Sequence, residues 1–422
     1  PISVFIHSFL AFLALLYSFI LYKNHINFIR NVLTNLLKKI RIYEIPTSKQ
    51  FWLIGLIGIL SIVAVRVFFG GIGQEKTEHV FLKLFAGLEQ FAYLPLLLLF
   101  PAVFSDKESV KNSKSSRILI FTYTAVLIIL GIMANSRGLF MEGMTTIGLI
   151  YFLGLILGKT DYRILSPKKI LLVALGFWLI TGPLADLGTA MVVVRGVRGD
   201  IPPKVLLEET IRNYQDKEAL RRYKKLADSR MDNWDERYFD NIFLTRFSNL
   251  KYADASLQLA FHMPNPDRQM QDIVFAKYLS TLPQPLLDVL KLNLDKPWYT
   301  KASFGDFLFM RKTGVGYGGF RVGNFMGLGL ASFGWWYLGV LFVGAIILYN
   351  FIDSFVLRTG TWSSRISIVG FLSTLFCFTY FGNSTSSESV TTIFNYITRG
   401  WFQTVLLYVV LFWIARKVSK VL

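Results

Sequence analysis

The amino-acid sequence predicts an all-α polytopic membrane protein, with about nine transmembrane helices and one large helical outward loop between spans six and seven. Three observations carry this. Hydrophobic residues make up 53% of the chain and aromatics 16%, with a mean hydropathy of +0.46, more apolar surface than a water-soluble globule can hide. Apolar runs repeatedly approach the ~20 residues that a helix needs to cross a hydrocarbon core. These runs, 118–134 among them, are continuously apolar, whereas barrel strands would alternate polarity over ~10 residues. Helices are then the remaining way to satisfy the backbone in lipid.

The apolar segments fall near 2–22, 51–69, 80–104, 118–135, 139–157, 170–194, 323–350, 366–383 and 401–415. The first has no basic n-region before it and no small-x-small cleavage site, so it reads as a retained helix and not a signal peptide. Lysine and arginine number nineteen in the connections 23–50, 105–117, 158–169, 351–365 and 416–422, against three in 70–79, 136–138 and 384–400. By the positive-inside rule the first set is cytoplasmic. The N-terminus and the stretch 195–322 then face outward, into the periplasm of a Gram-negative cell, and the C-terminus is cytoplasmic. The chain divides into spans one to six (1–194), the outward loop (195–322) and spans seven to nine (323–422). The net charge of +18 is accounted for by these loops, so nucleic acid is not an expected partner.

Within 26–42, Ile29, Val32, Leu33, Leu36 and Ile40 share one helical face and Arg30, Lys38, Lys39 and Arg41 the other. This pattern predicts an interfacial helix on anionic headgroups, the alternative being an ordinary connecting helix. In the outward loop, Pro202-Pro203 reads as a helix start, 204–228 has helix-forming composition, and Leu282 to Pro297 should be short helices and turns. The lone Cys377 lies in an apolar run and reads as a buried structural thiol.

Arginine at outward helix ends is the first chemical signal. Arg137, Arg311, Arg321 and Arg399 lie where the positive-inside rule disfavours them. Guanidinium groups make bidentate, charge-assisted bonds to phosphate oxygens, so a lipid diphosphate would explain them; snorkelling or pairing with Glu142 or Glu388 is the alternative. Glycine is the second signal. Gly314, Gly316 and Gly319 match G-x-G-x-x-G without the strand that a dinucleotide site requires, and Gly319, Gly323 and Gly327 at intervals of four predict close helix packing. His262 has the pKa range to take a proton from a hydroxyl, and Glu142 is an apolar-embedded carboxylate, so both are candidate catalytic bases. The aromatic stretch 234–261 is packing in the main, yet Trp234, Tyr238 and Tyr252 offer flat faces on which sugars stack. No Walker A, H-E-x-x-H, G-x-S-x-G or D-x-D motif is present, so no metal or cofactor is expected.

FLTRFSNL at 243–250, the re-entry GNFMGLGLASFGWWYLGVLFVG, NSRG at 135–138 and SESVTTIFNYITRGW before the last span resemble the Wzy-type O-antigen and oligosaccharide-unit polymerases. That resemblance implies a GT-C-like fold, the bacterial inner membrane, and undecaprenyl-diphosphate oligosaccharides as donor and acceptor. It also implies metal-free glycosyl transfer by outward arginines, which align with Arg137, Arg246, Arg321 and Arg399. The expected partners are the lipid-linked oligosaccharide, membrane lipids and a chain-length regulator. An O-antigen ligase, or a transporter of lipid-linked oligosaccharide, is the alternative.

Overall fold

The computed structural model describes residues 2–68, 80–104, 114–160, 167–197, 201–228, 241, 250–282, 284–314, 321–358, 364–373 and 388–421. Those residues form an almost wholly helical membrane protein. Among the described residues six helices are long and apolar enough to cross a bilayer: Ile2–Asn24, Ser48–Arg66, Leu82–Leu99, Ala174–Val193, Phe325–Asp353 and Thr392–Val421. The expected fourth and fifth spans appear as the shorter apolar stretches Ile118–Met133 and Glu142–Ile156. Most of the expected span at 366–383, with Cys377, lies outside the described residues. Phe5, Phe9, Phe121 and Leu406 are each more than half exposed, a surface that water would penalise and lipid covers.

The first helix lies along Tyr337–Asp353 and is pinned at both ends. His7 Nδ1 meets the Tyr337 hydroxyl at 2.8 Å, and the Tyr22 hydroxyl donates to Asp353 Oδ2 at 2.6 Å. From there the amphipathic helix Phe28–Lys39 crosses the end of Tyr337–Asp353. Arg30 Nε meets Asp353 Oδ2 at 2.7 Å, and the Arg30 amide donates to Asn350 Oδ1 at 3.0 Å. The predicted single apolar face is split here: Leu33 is buried against the protein, together with Leu37, while Ile29, Val32 and Leu36 stay exposed.

Two cores result. One joins Ser48–Ile62, the 3-10 stretch Glu89–Leu99 and Trp401–Val421 around Ile54, Phe91, Leu94, Trp401 and Tyr408. A side chain at Gly58 would lie 2.2 Å from the Ala92 nitrogen, so glycine sets that closest approach. The second core joins the first helix to the long loop 195–322 and the helices that follow it through Leu257, Val274, Phe307, Leu330 and Tyr337.

The loop forms the helices Pro203–Gln215, Lys217–Asp228, Leu250–Phe261, Arg268–Ser280, Gln284–Val289, Lys296–Lys301 and Phe304–Thr313. The expected helix at 204–228 is interrupted at Asp216, whose Oδ1 accepts from the Ala219 amide at 2.9 Å and caps the second piece. Of the expected helical glycine face, Gly319 lies outside the described residues and Gly327 is helical, but Gly323 is not, although it packs closely. A Cβ there would lie 2.9 Å from the Gly305 nitrogen, and one at Gly327 would lie 2.3 Å from the Ser256 carbonyl carbon. A small antiparallel ladder, Val356–Arg358 with Ser364–Ile366, pairs Val356 with Ile366.

Candidate functional site

Two of the expected spans are mis-wound where they carry charge. Ser48–Ile62 continues as a π-helical turn, Val63–Phe68, holding Arg66, and Val80–Leu88 changes to 3-10 winding at Glu89. Such irregular turns in membrane helices mark functional positions. Here they bring a bidentate pair together: Arg66 Nε donates to Glu89 Oε1 at 3.0 Å and Nη2 to Oε2 at 2.8 Å.

Glu142, on Arg137–Ile156, joins them from a third element. Its carboxyl shares a hydrogen bond with Tyr93 and lies within Coulombic reach of Arg66 and Glu89. The Tyr93 hydroxyl also donates to the Leu139 carbonyl at 3.1 Å. One guanidinium therefore faces two carboxyl groups, and in a low-dielectric setting the second must be met by a proton or a further cation. A group in that position can take up and release a proton.

The expected diphosphate ligands separate into three kinds. Arg311 is held by Asp267, with Nη2 to Oδ2 at 2.8 Å, and Asp267 is almost fully buried. Although burial works the other way, Arg311 and the Met270 amide hold the Asp267 carboxyl below its ordinary value. Arg321 is buried, with Nη1 at 3.3 Å from Asp306 Oδ1 and its guanidinium 3.8 Å over the Phe309 ring. These two arginines tie the loop together. Arg399 is exposed, and its Nη1 donates to the Thr281 carbonyl at 3.0 Å. Arg137 opens its helix behind the Ser136 cap, with its side chain outside the description. Arg246, Trp234 and Tyr238 lie outside the described residues.

Tyr252 is 5% exposed, so its ring packs in the loop and presents no face to a sugar. His262 is exposed at the end of Leu250–Phe261. Its Nδ1 is 2.6 Å from the Gln258 carbonyl; a carbonyl only accepts, so that nitrogen carries the proton and Nε2 is the remaining base. Lys312 donates to the His262 carbonyl at 2.9 Å.

Sequence reasoning did not select Arg66, although an arginine inside an apolar run is a signal in itself. Nor did it select Lys277, which donates to the Tyr299 carbonyl at 2.8 Å and to the Ala302 carbonyl, or Lys296, which donates to the Leu282 carbonyl at 2.5 Å. Nothing local distinguishes those two lysines from a solvated surface.

No protein-family model matches the chain, and neither a curated protein nor a solved structure does. Among the described residues no group of three or more His, Cys, Asp or Glu side chains is placed to hold a metal ion.

Proposed function

We propose that this protein is a polymerase of lipid-linked oligosaccharide repeat units at the bacterial inner membrane. It would transfer the growing glycan from undecaprenyl diphosphate to the incoming lipid-linked unit. The observation that carries the reading is the gathering of Arg66, Glu89 and Glu142 from three apolar segments. Charges in such segments are expensive and are kept for function.

In the reaction, a hydroxyl oxygen of the incoming unit forms a bond to the anomeric carbon of the growing chain. The bond from that carbon to the diphosphate oxygen breaks, and the electron pair leaves with the polyprenyl diphosphate. Glu142 takes the hydroxyl proton, while outward cations stabilise the charge that develops on the leaving group. Glu142 is preferred to His262 as the base because it stands among charged groups beside the spans, whereas His262 caps a solvent-facing helix.

The test is reconstitution of the purified chain with a lipid-linked repeat unit, followed by gel separation of the products. A ladder is expected from the wild type. Glu142→Gln should lower its rate by about 10²–10⁴-fold, the usual contribution of a positioned base, while His262→Ala should leave it near the wild-type value. An undiminished ladder from Glu142→Gln would remove Glu142 from the mechanism. Transfer to lipid A-core in place of a ladder would make the protein a ligase.

A further inference from the structure

Arg311, Arg321 and Arg66 each meet a carboxylate, but a different grouping surrounds Arg399. Thr281 and Leu282 present consecutive carbonyls, of which the first accepts from Arg399 Nη1 at 3.0 Å and the second from Lys296 Nζ at 2.5 Å. Two cations from distant parts of the chain are thereby fixed side by side. A third comes from Val80–Leu88. Gly87 of that helix packs on Gln403 of the last span, where an added Cβ would lie 2.7 Å from Nε2. Lys83 and Arg399 each precede that contact by four residues, about one helical turn, and so stand together above it.

The electrostatics agree with this placement. Burial first, then the Lys83 and Arg399 charges, draw the Lys296 ammonium below the ordinary lysine value, with Asp288 opposing. Lys83 and Arg399 are both exposed. Like charges held together by the backbone at the end of apolar helices store repulsion, which a polyanion relieves.

We propose that Lys83, Lys296 and Arg399 form a phosphate-binding site at the membrane surface, and that its ligand is the diphosphate headgroup of a lipid. The diphosphate-lipid part rests on the polymerase reading; the anion site itself does not. The arrangement also orders the chemistry along one helix. Glu89 follows Lys83 by six residues, about 9 Å at the helical rise, so an anion at the lysine sits one to two turns from the acid cluster. A diphosphate and its first sugar can cover that distance.

The experiment titrates the purified full chain in detergent with farnesyl diphosphate, and separately with inorganic pyrophosphate, following binding by calorimetry. Farnesyl diphosphate should bind saturably. Lys83→Ala and Lys296→Ala should each weaken it about tenfold, the loss of one charge-assisted contact, and Lys83→Arg should restore it. Arg311→Ala, which alters a guanidinium already held by Asp267, should not weaken binding if the variant remains monodisperse. Unchanged affinity in both lysine variants would overturn the site. Pyrophosphate binding as tightly as farnesyl diphosphate would retain the anion site and overturn its assignment to a lipid headgroup. Binding with these mutational effects in a protein that forms no ladder would defeat the polymerase reading and leave the phosphate site standing.

Discussion

Glu388 shows how much a single buried carboxyl can govern. Its Oε2 accepts the Phe304 amide at 2.9 Å, and the carboxyl also accepts from the Gly323 amide. It thereby joins the segment before the last span to the start of Phe304–Thr313 and to the re-entry at 321–324. Burial pushes this carboxyl up to about 8, against the two amides and the Lys277 ammonium, which pull it down. Burial likewise draws Lys277 down to about 8, against Glu388 and Asp306. The signs then follow from proton counting. An unfolded glutamate releases its proton near 4.5 and the folded one near 8, so the folded state binds the extra proton across that window. Stability falls as pH rises through it. For Lys277 the unfolded chain holds the extra proton between about 8 and 10.5, so stability recovers there. Melting in detergent should show a minimum near pH 8, and Glu388→Gln should abolish the decline between pH 5.5 and 8. A parallel decline in the variant would assign it to another group. In the sequence Glu388 reads only as a local partner for outward arginines, because a backbone donor 84 residues away in the chain leaves no mark in residue spacing.

At the scale of elements, periodicity reveals a helix but not which side of it is claimed by protein. The Phe28–Lys39 helix was legible from its apolar positions, yet those positions divide. Leu33 and Leu37 are covered by the span bundle, whereas Phe28 is 75% exposed, Val32 51% and Leu36 49%. The helix crosses the end of Tyr337–Asp353, and on the interfacial reading its open face would meet the edge of the hydrocarbon and Lys38 and Lys39 the headgroups. Each basic residue near an anionic surface contributes about 1 kcal/mol. The wild type should therefore melt higher in phosphatidylglycerol nanodiscs than in phosphatidylcholine ones, and Lys38→Gln/Lys39→Gln should remove about 2 kcal/mol of that difference. An equal lipid preference in the double variant would make this an ordinary connecting helix. The charged site was legible in part for the same reason. Glu142 and Glu89 are visible as carboxyls in apolar sequence, while the π and 3-10 turns that aim Arg66 and Glu89 at each other depend on contacts between spans.

At the scale of the whole molecule, the number and order of apolar segments follow from hydropathy, but the level of the membrane along each one does not. Phe325–Asp353 is apolar over 29 residues, about 43 Å at the helical rise, against a hydrocarbon core of about 30 Å. Hydropathy runs unbroken through it, so the sequence reads a single span from 323. The backbone divides it at Gly334–Trp336, where Gly334 takes φ +56. On one side, Phe325–Phe333 contributes Met326, Leu328 and Leu330 to the core of the long loop. On the other, Tyr337–Asp353 pairs with the first helix between the His7–Tyr337 and Tyr22–Asp353 contacts. At the break Trp335 is 56% and Trp336 82% exposed, and His7 stacks on Trp335 at 4.8 Å. Tryptophans of this kind settle at the headgroup level, which would put Phe325–Phe333 above the bilayer and start the span at the break. Cys377 is the only cysteine, so a Cys377→Ser background permits a direct measurement. A membrane-impermeant maleimide should label Trp336→Cys and leave Val343→Cys, whose parent side chain is 54% exposed, unmodified. Labelling of Val343→Cys would place the membrane further along the helix, and protection of Trp336→Cys would return Phe325–Phe333 to the lipid.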